Sequence, residues 1–242
     1  MYKVLYRKYR PRRFADVVGQ PQVTVTLRSE LTQGRVAHAY LFTGSRGTGK
    51  TTCAKILARA VNCLHPVDGD PCGECEICRG LEEGSVLDVV EIDAASNNGV
   101  ESVRAIIEEA NFTPASARYR VYIIDEVHML SVQAFNALLK TLEEPPAHVV
   151  FILATTEVHR LLPTILSRVV TVALQPLPIP DCLAALRQRV PDKTEEEYRE
   201  AALLSCGSPG EGERILRQEK AARRARGARQ LVEAMKSGAR RS

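Results

Sequence analysis

The 242-residue sequence has no tryptophan, three methionines and only five phenylalanines and seven tyrosines. With so few rings, base stacking is a poor main mode for any nucleic-acid contact, and contacts to phosphate fit better. Long apolar runs are also missing. The longest charge-free apolar stretch, Val169 to Pro180, is twelve residues with three prolines, well short of the roughly 20 that span a bilayer. No apolar run follows the basic opening Met1 to Arg13. Neither a membrane span nor a signal peptide is therefore expected, and the chain reads as cytoplasmic. In that reducing compartment, disulfides among the seven cysteines are disfavoured.

What is present matches an ordinary globular protein: 45% hydrophobic and 26% charged residues, which excludes fibrous and low-complexity classes. The net charge of +4 is unevenly spread, because Arg214 to Ser242 holds ten Lys and Arg against two Glu. Such an end suits an acidic partner, such as nucleic acid, through counterion release, or forms a solvated helical face.

Apolar runs of strand length alternate with helical patterns. The runs are Ala39 to Thr43, Val86 to Ile92, Tyr119 to Ile124, Val149 to Ala154 and Val169 to Leu174. Helical patterns cover Gln22 to Gln33, Lys50 to Val61, Val100 to Ala110, Val132 to Glu144 and Leu161 to Ser167. Nearly continuous apolar strands in a βαβα order predict an α/β fold with a doubly wound parallel sheet. Pro145 and Pro146 stop the fourth helix. Pro176, Pro178 and Pro180 form a stiff link, and beyond it only helix is predicted. The expected domains are 1–178, with an insertion at 63–80, then a small helical unit at 179–221 and a basic helical tail at 222–242.

Gly44-Ser45-Arg46-Gly47-Thr48-Gly49-Lys50-Thr51 follows the first strand and opens a helix. This fits the phosphate-loop pattern G-x-x-x-x-G-K-S/T, the alternative being a Gly-rich turn with a solvated Lys. Small residues let backbone N–H groups wrap a phosphate, and the helix N-terminus adds partial positive charge. Lys50 is positioned for the β- and γ-phosphates of ATP, Thr51 for Mg²⁺, and Thr52 completes the binding set. A second motif ends the third strand, where Val121-Tyr122-Ile123-Ile124 runs into Asp125-Glu126. Two carboxylates there are costly unless a metal or partner compensates. Asp125 is assigned to the magnesium ion and Glu126 to the attacking water.

Thr155-Thr156 ends the next strand. Thr156 places a hydroxyl for the γ-phosphate or the water, unless the pair reflects strand propensity alone. Arg168 is either a finger that reaches a neighbouring subunit's nucleotide or a surface cap. Cys63, Cys72, Cys75 and Cys78 read C-x8-C-x2-C-x2-C, with Pro71 and Gly73 shaping the turns. Four thiolates predict a closed, structural Zn²⁺ site; a disulfide pair or inert thiols are the alternative. Cys53, Cys182 and Cys206 read as ordinary small apolar residues.

These residues carry a resemblance. Leu5-Tyr6-Arg7-Lys8-Tyr9-Arg10-Pro11, Phe14 to Gln20, His38 to Phe42, Glu91 to Ser96, Ile124 to Leu130, Phe135 to Pro146 and Leu153 to Thr156, with the phosphate loop and the four cysteines, resemble the gamma/tau subunit of the bacterial DNA polymerase III clamp loader. They span Tyr2 to about Arg168. The resemblance implies a P-loop AAA+ ATPase domain with a zinc-binding insertion and a helical lid. It implies work within a ring-like pentamer, alongside delta, delta-prime and further gamma/tau copies, that sets the sliding clamp on primed DNA. Arg7, Pro11, Val17 and Val18 would lie near the adenine and ribose, and Asn97, Asn98 and Arg104 would face the DNA backbone.

The sequence also departs from the family. Val169 stands where the family has the Cys of Ser-Arg-Cys, leaving Arg168 in place. Around Gly207-Ser208 the family pattern places a sensing arginine, whereas here Pro209-Gly210 follow and the next arginine is Arg214. Gly-Ser-Pro-Gly is closer to the delta-prime relatives, which do not turn over ATP, and the family's collar domain would begin where the chain ends. The expected activity is ATP hydrolysis coupled to clamp loading. The alternative is a nucleotide-binding, poorly hydrolysing structural subunit. An unrelated AAA+ remodeller would have no reason to carry the cysteine insertion.

Overall fold

The structure, a computed structural model, describes residues 11–218. Arg7, most of the Leu5 to Pro11 motif and the basic tail at 222–242 lie outside the described residues. The chain divides into two compact units. Of the described residues, the first comprises 11–45 and 49–175, the second 46–48 and 176–218.

The first unit holds β1 (Ala39–Thr43), β2 (Val89–Asp93), β3 (Arg120–Asp125), β4 (Val149–Thr155) and β5 (Val170–Ala173). All pair in parallel, in the order β2-β3-β4-β1-β5. Around them run α1 (Pro21–Thr32), α2 (Lys50–Asn62), α3 (Glu76–Glu83), α4 (Val100–Ala110), α5 (Val132–Glu143) and α6 (Pro163–Leu166).

Alternation along each strand feeds two cores, since successive side chains point to opposite faces. Tyr40 and Phe42 pack with Leu27 of α1 and with Ile56 and Leu57 of α2, while Leu41 packs with Ile106 of α4 and Leu138 of α5. Helices therefore cover both faces, and β1 and β4 are buried at every residue. The edge strands differ from the continuous pattern read in the sequence. In β5 only Val172 is buried, and β2 is half-buried. Among the described residues each pairs with a strand on one side alone.

Two local readings need correction. Val86 and Leu87 precede β2 rather than form it; Leu87 is exposed, while Asp88 turns inward. Asp88 accepts the backbone N–H groups of Ala115, Ser116 and Ala117 at 2.8, 2.8 and 2.9 Å. Short α3, inside the cysteine insertion, has no counterpart in the sequence reading. It is capped by the Cys75 sulfur and ended by Gly84 in the left-handed region.

Another turn in the insertion is a two-residue hairpin. Val67 and Asp70 exchange both backbone hydrogen bonds at 2.9 Å around Asp68 and Gly69, at φ +49° and +79°. Asp-Gly suits that geometry because both central residues need positive φ. A Cβ on Gly69 would meet the Arg28 carbonyl at 2.4 Å. Asp70, 5% exposed, accepts the N–H groups of Phe14 at 2.5 Å and Ala15 at 3.3 Å.

The second unit holds α7 (Ile179–Arg189) and α8 (Glu195–Leu204), followed by helix at 209–218. Thr194 and Glu197 form a reciprocal capping box at the start of α8. Leu186, Tyr198, Ala202 and Leu216 make its small core. Cys182 is buried there, but Cys206 is exposed at φ +48°, contrary to its reading as an apolar filler.

Candidate functional site

The carboxyl ends of parallel strands are where open α/β sheets bind ligands. Here the strand order decides which residues meet. β4 lies between β1 and β3. Thr43 is level with Thr155, and Ile124 with Leu153. The phosphate loop, the Asp125-Glu126 pair and the Thr155-Thr156 pair thus emerge at one sheet end.

Gly49 caps α2 at φ +108°, a conformation that side chains rarely adopt. Gly44, at φ +141°, and Ser45 lead into the loop; Arg46, Gly47 and Thr48 group with the second unit. Lys50 is 5% exposed, and its ammonium donates to the carbonyls of Gly44 at 2.9 Å and Ser45 at 3.0 Å. Thr52, one residue beyond Thr51, is half-buried in the first turn of α2. The Thr51 hydroxyl donates to Asp125 Oδ2 at 2.7 Å. Two oxygen donors at the end of a phosphate loop fit the hard, oxygen-seeking chemistry of Mg²⁺.

Glu126 adopts the left-handed conformation, φ +48° and ψ +45°. For a residue with a Cβ this costs about 1–2 kcal/mol, and such strain clusters at functional sites. The Thr156 hydroxyl donates to Glu126 Oε2 at 3.1 Å. Sequence reasoning named Lys50, Thr51, Asp125, Glu126 and Thr156, and among them the structure joins Thr51 to Asp125 and Thr156 to Glu126. It assigned nothing to His128, which is 8% exposed, with Nδ1 2.9 Å from Thr155 Oγ1 and 3.4 Å from Glu126 Oε2. That contact depends on β3 and β4 being neighbours, which linear spacing does not reveal.

Arg168 lies apart from these residues in chain and in contacts. Its guanidinium pairs with Glu143 at 2.7 Å and donates to the Thr164 carbonyl at 2.7 Å. Pro11, Val17 and Val18 flank the Phe14–Asp16 turn, and Val17 packs against the core while Val18 is exposed. Asn97 donates to the Asp93 carbonyl, the Asn98 carbonyl accepts from Ser131 N–H, and Arg104 pairs with Glu101 on an exposed face.

The sulfurs of Cys63, Cys72, Cys75 and Cys78 lie within 4.8 Å of one another, and those of Cys72 and Cys78 are 4.0 Å apart. Sulfurs placed tetrahedrally about 2.3 Å from one ion would be about 3.8 Å apart, so the cluster fits zinc. All four cysteines are free. Burial raises the Cys72 thiol, but N–H donation from Glu74 and Cys75 outweighs it and brings the thiol down to about 6. Cys78 is pushed up, chiefly by burial.

Comparison with known proteins gives these features a context. The family described as "DNA polymerase III, delta subunit" matches residues 19–178. DNA polymerase III subunit tau of Bacillus subtilis (strain 168) is 62% identical over 168 residues, 69% of this chain and 30% of that protein. The chain spans about a third of the length of several such curated relatives.

A DNA polymerase III gamma subunit-related protein of Thermotoga maritima superposes with a TM-score of 0.53 at 26% identity, over 74% of this chain and 56% of its own. The Thermotoga maritima RuvB Holliday junction branch migration motor gives a TM-score of 0.59 at 20% identity, over 86% and 64%. At that identity the likeness is one of fold, the AAA+ P-loop fold. With the match across residues 19–178 and tau and gamma subunits as its relatives, the chain belongs to the DNA polymerase III subunit family, on its gamma/tau side.

Proposed function

We propose that this chain binds and hydrolyses ATP as a clamp-loader subunit of a replicative DNA polymerase. The observation that carries the reading is the 2.7 Å bond from Thr51 to Asp125, which joins the phosphate loop to the strand end bearing Glu126. The loop glycines and the N-terminus of α2 would hold the phosphates. Lys50, already held against the Gly44 and Ser45 carbonyls, would turn to the β- and γ-phosphates. Thr51 and Asp125 would hold Mg²⁺, which when bound supplies Lewis-acid polarisation of phosphate oxygens. Glu126 would orient the attacking water and take its proton, with Thr156 beside it. Val17, Val18 and Pro11 would border the adenine, with Arg7 alongside.

Arg168 would act on the nucleotide of a neighbouring copy, held ready by Glu143. The four cysteines would hold a structural Zn²⁺. Domain 1–178 would be the motor and 179–221 its lid, with delta, delta-prime and further gamma/tau copies, the sliding clamp and primed DNA as partners. Asn97, Asn98, Arg104 and the basic tail at 222–242 are the candidate DNA contacts. Among the described residues, no helix is long and apolar enough to cross a membrane; the expected location is the cytoplasm.

The test is DNA- and clamp-stimulated ATPase of the chain with its partner subunits, compared with Glu126→Gln. Stimulated turnover lost in Glu126→Gln supports hydrolysis. One observation favours the alternative of a nucleotide-holding structural subunit: Arg214, the nearest candidate for a sensing arginine, is ion-paired with Glu211 and bonded to Gln218. Equal slow rates in both proteins would select that alternative.

A further inference from the structure

His128 has no assigned role, although it is buried where three polar side chains at the carboxyl ends of β3 and β4 converge: Glu126, Thr155 and Glu157. Its Nδ1 lies 2.9 Å from Thr155 Oγ1 and 3.4 Å from Glu126 Oε2, and its Nε2 is 3.3 Å from Glu157 Oε1. Thr155 is itself fully buried and accepts the Glu157 N–H at 3.0 Å, so the ring's surroundings are fixed by backbone as well as side chains. Glu126 Oε2, the oxygen facing the ring, also takes the Thr156 hydroxyl. A carboxylate on a strained, left-handed backbone would otherwise have several rotamers open to it.

We propose that His128 is a positioning residue for Glu126, a wedge between Glu126 and Glu157 that holds the Glu126 carboxylate against Thr156 and ties its orientation to the end of β4. The proposal rests on the hydrolytic reading of Glu126. It separates the work of two neighbours: Thr156 offers a hydroxyl to the carboxylate, and His128 limits where that carboxylate can swing. Preorganisation of this kind matters because a displacement of about 1 Å in a reacting group can cost about 100-fold in rate.

Substitutions distinguish positioning from packing. An asparagine amide reaches the place of Nδ1 and keeps a polar group toward Glu126 and Thr155. A glutamine amide reaches the place of Nε2 and keeps only the Glu157 side, and leucine fills the volume without either. Positioning therefore ranks the variants asparagine above glutamine and leucine; packing ranks glutamine and leucine above asparagine.

The experiment is single-turnover hydrolysis at saturating ATP by the full chain assembled with its partner subunits. Binding of a fluorescent ATP analogue and the thermal midpoint are measured on the same samples. We expect His128→Leu and His128→Gln to lower the hydrolysis rate at least about tenfold with nucleotide affinity within about twofold of wild type. His128→Asn should recover part of that loss, and His128→Leu should add nothing in a Glu126→Gln background.

If Glu126→Gln abolishes hydrolysis but every folded His128 variant turns over at the wild-type rate, the positioning role is wrong and the hydrolytic reading stands. The packing order, with glutamine and leucine above asparagine, also overturns it. If wild type and Glu126→Gln are equally slow, the hydrolytic reading fails and takes this role with it. Should His128→Leu not fold, His128→Asn and Glu157→Gln carry the test, with Glu157→Gln expected to lower the rate in the same direction without loss of affinity.

Discussion

The Thr51 hydroxyl and Asp125 Oδ2 are bonded across 2.7 Å although 74 positions separate them in the chain. The first turn of α2 is thereby fixed to the end of β3, and the backbone that would wrap a triphosphate is coupled to the acids that would act on it. Such a bond keeps two would-be metal donors satisfied and close together.

Lys50→Ala should abolish tight ATP binding without unfolding the protein. The ammonium is buried and bonded to two loop carbonyls, and replacing it removes the cation that the proposed function turns to the phosphates. We expect affinity to fall about 100-fold, measured by isothermal calorimetry, with the thermal midpoint little changed.

Elemental analysis of protein purified without chelator should give one zinc per chain. Cys75→Ser should lose it, because the Cys75 sulfur both joins the cluster and caps α3 through the Cys78 N–H at 3.4 Å. A strong chelator should lower the thermal midpoint of wild type and leave Cys75→Ser unaffected, since closing the metal shell contributes folding free energy directly.

Asp88 makes stability depend on acid. Burial would raise its carboxyl, but N–H donation from Ala115, Ser116 and Ala117 and the Ser116 hydroxyl outweighs burial and lowers it below the ordinary 3.8. Because the folded value is depressed, the stabilisation is fully present above the ordinary value. It is lost as pH falls through the lower folded one. Asp88→Asn should cost about 1–3 kcal/mol at neutral pH, with a smaller difference from wild type in denaturant melts near pH 3.

Much of this was legible from residues alone, and the reasons are physical. The phosphate loop is short and local, so Gly49, Lys50 and Thr51 could be assigned from spacing, and the apolar run into Asp125-Glu126 marked a strand end. What escaped depended on which strands are neighbours. The ring of His128 meets Thr155 only because β3 pairs with β4. β2 and β5 read as buried because composition does not reveal which strands form the edges. Asp88 fell inside the run read as a strand, and nothing local marked it as an anchor for three amides on a distant turn. The Asp68-Gly69 pair did carry a hairpin signal, which the cysteine spacing around it overshadowed.

Arg168→Ala should leave ATP affinity within about twofold, because its side chain contacts Glu143 and Thr164 rather than the phosphate loop. In an assembled complex the same substitution should lower turnover about 1,000-fold. The check is to mix mutant and wild-type copies: each mutant copy should silence its neighbour's site, not its own.

Asp70 is two residues from Cys72, yet its carboxylate grips the amides of Phe14 and Ala15, 56 and 55 positions upstream. The cysteine insertion is therefore wired to the segment that leads into Val17 and Val18. Loosening of the cysteine loop would therefore reach the Phe14–Asp16 turn directly, through the Asp70 carboxylate.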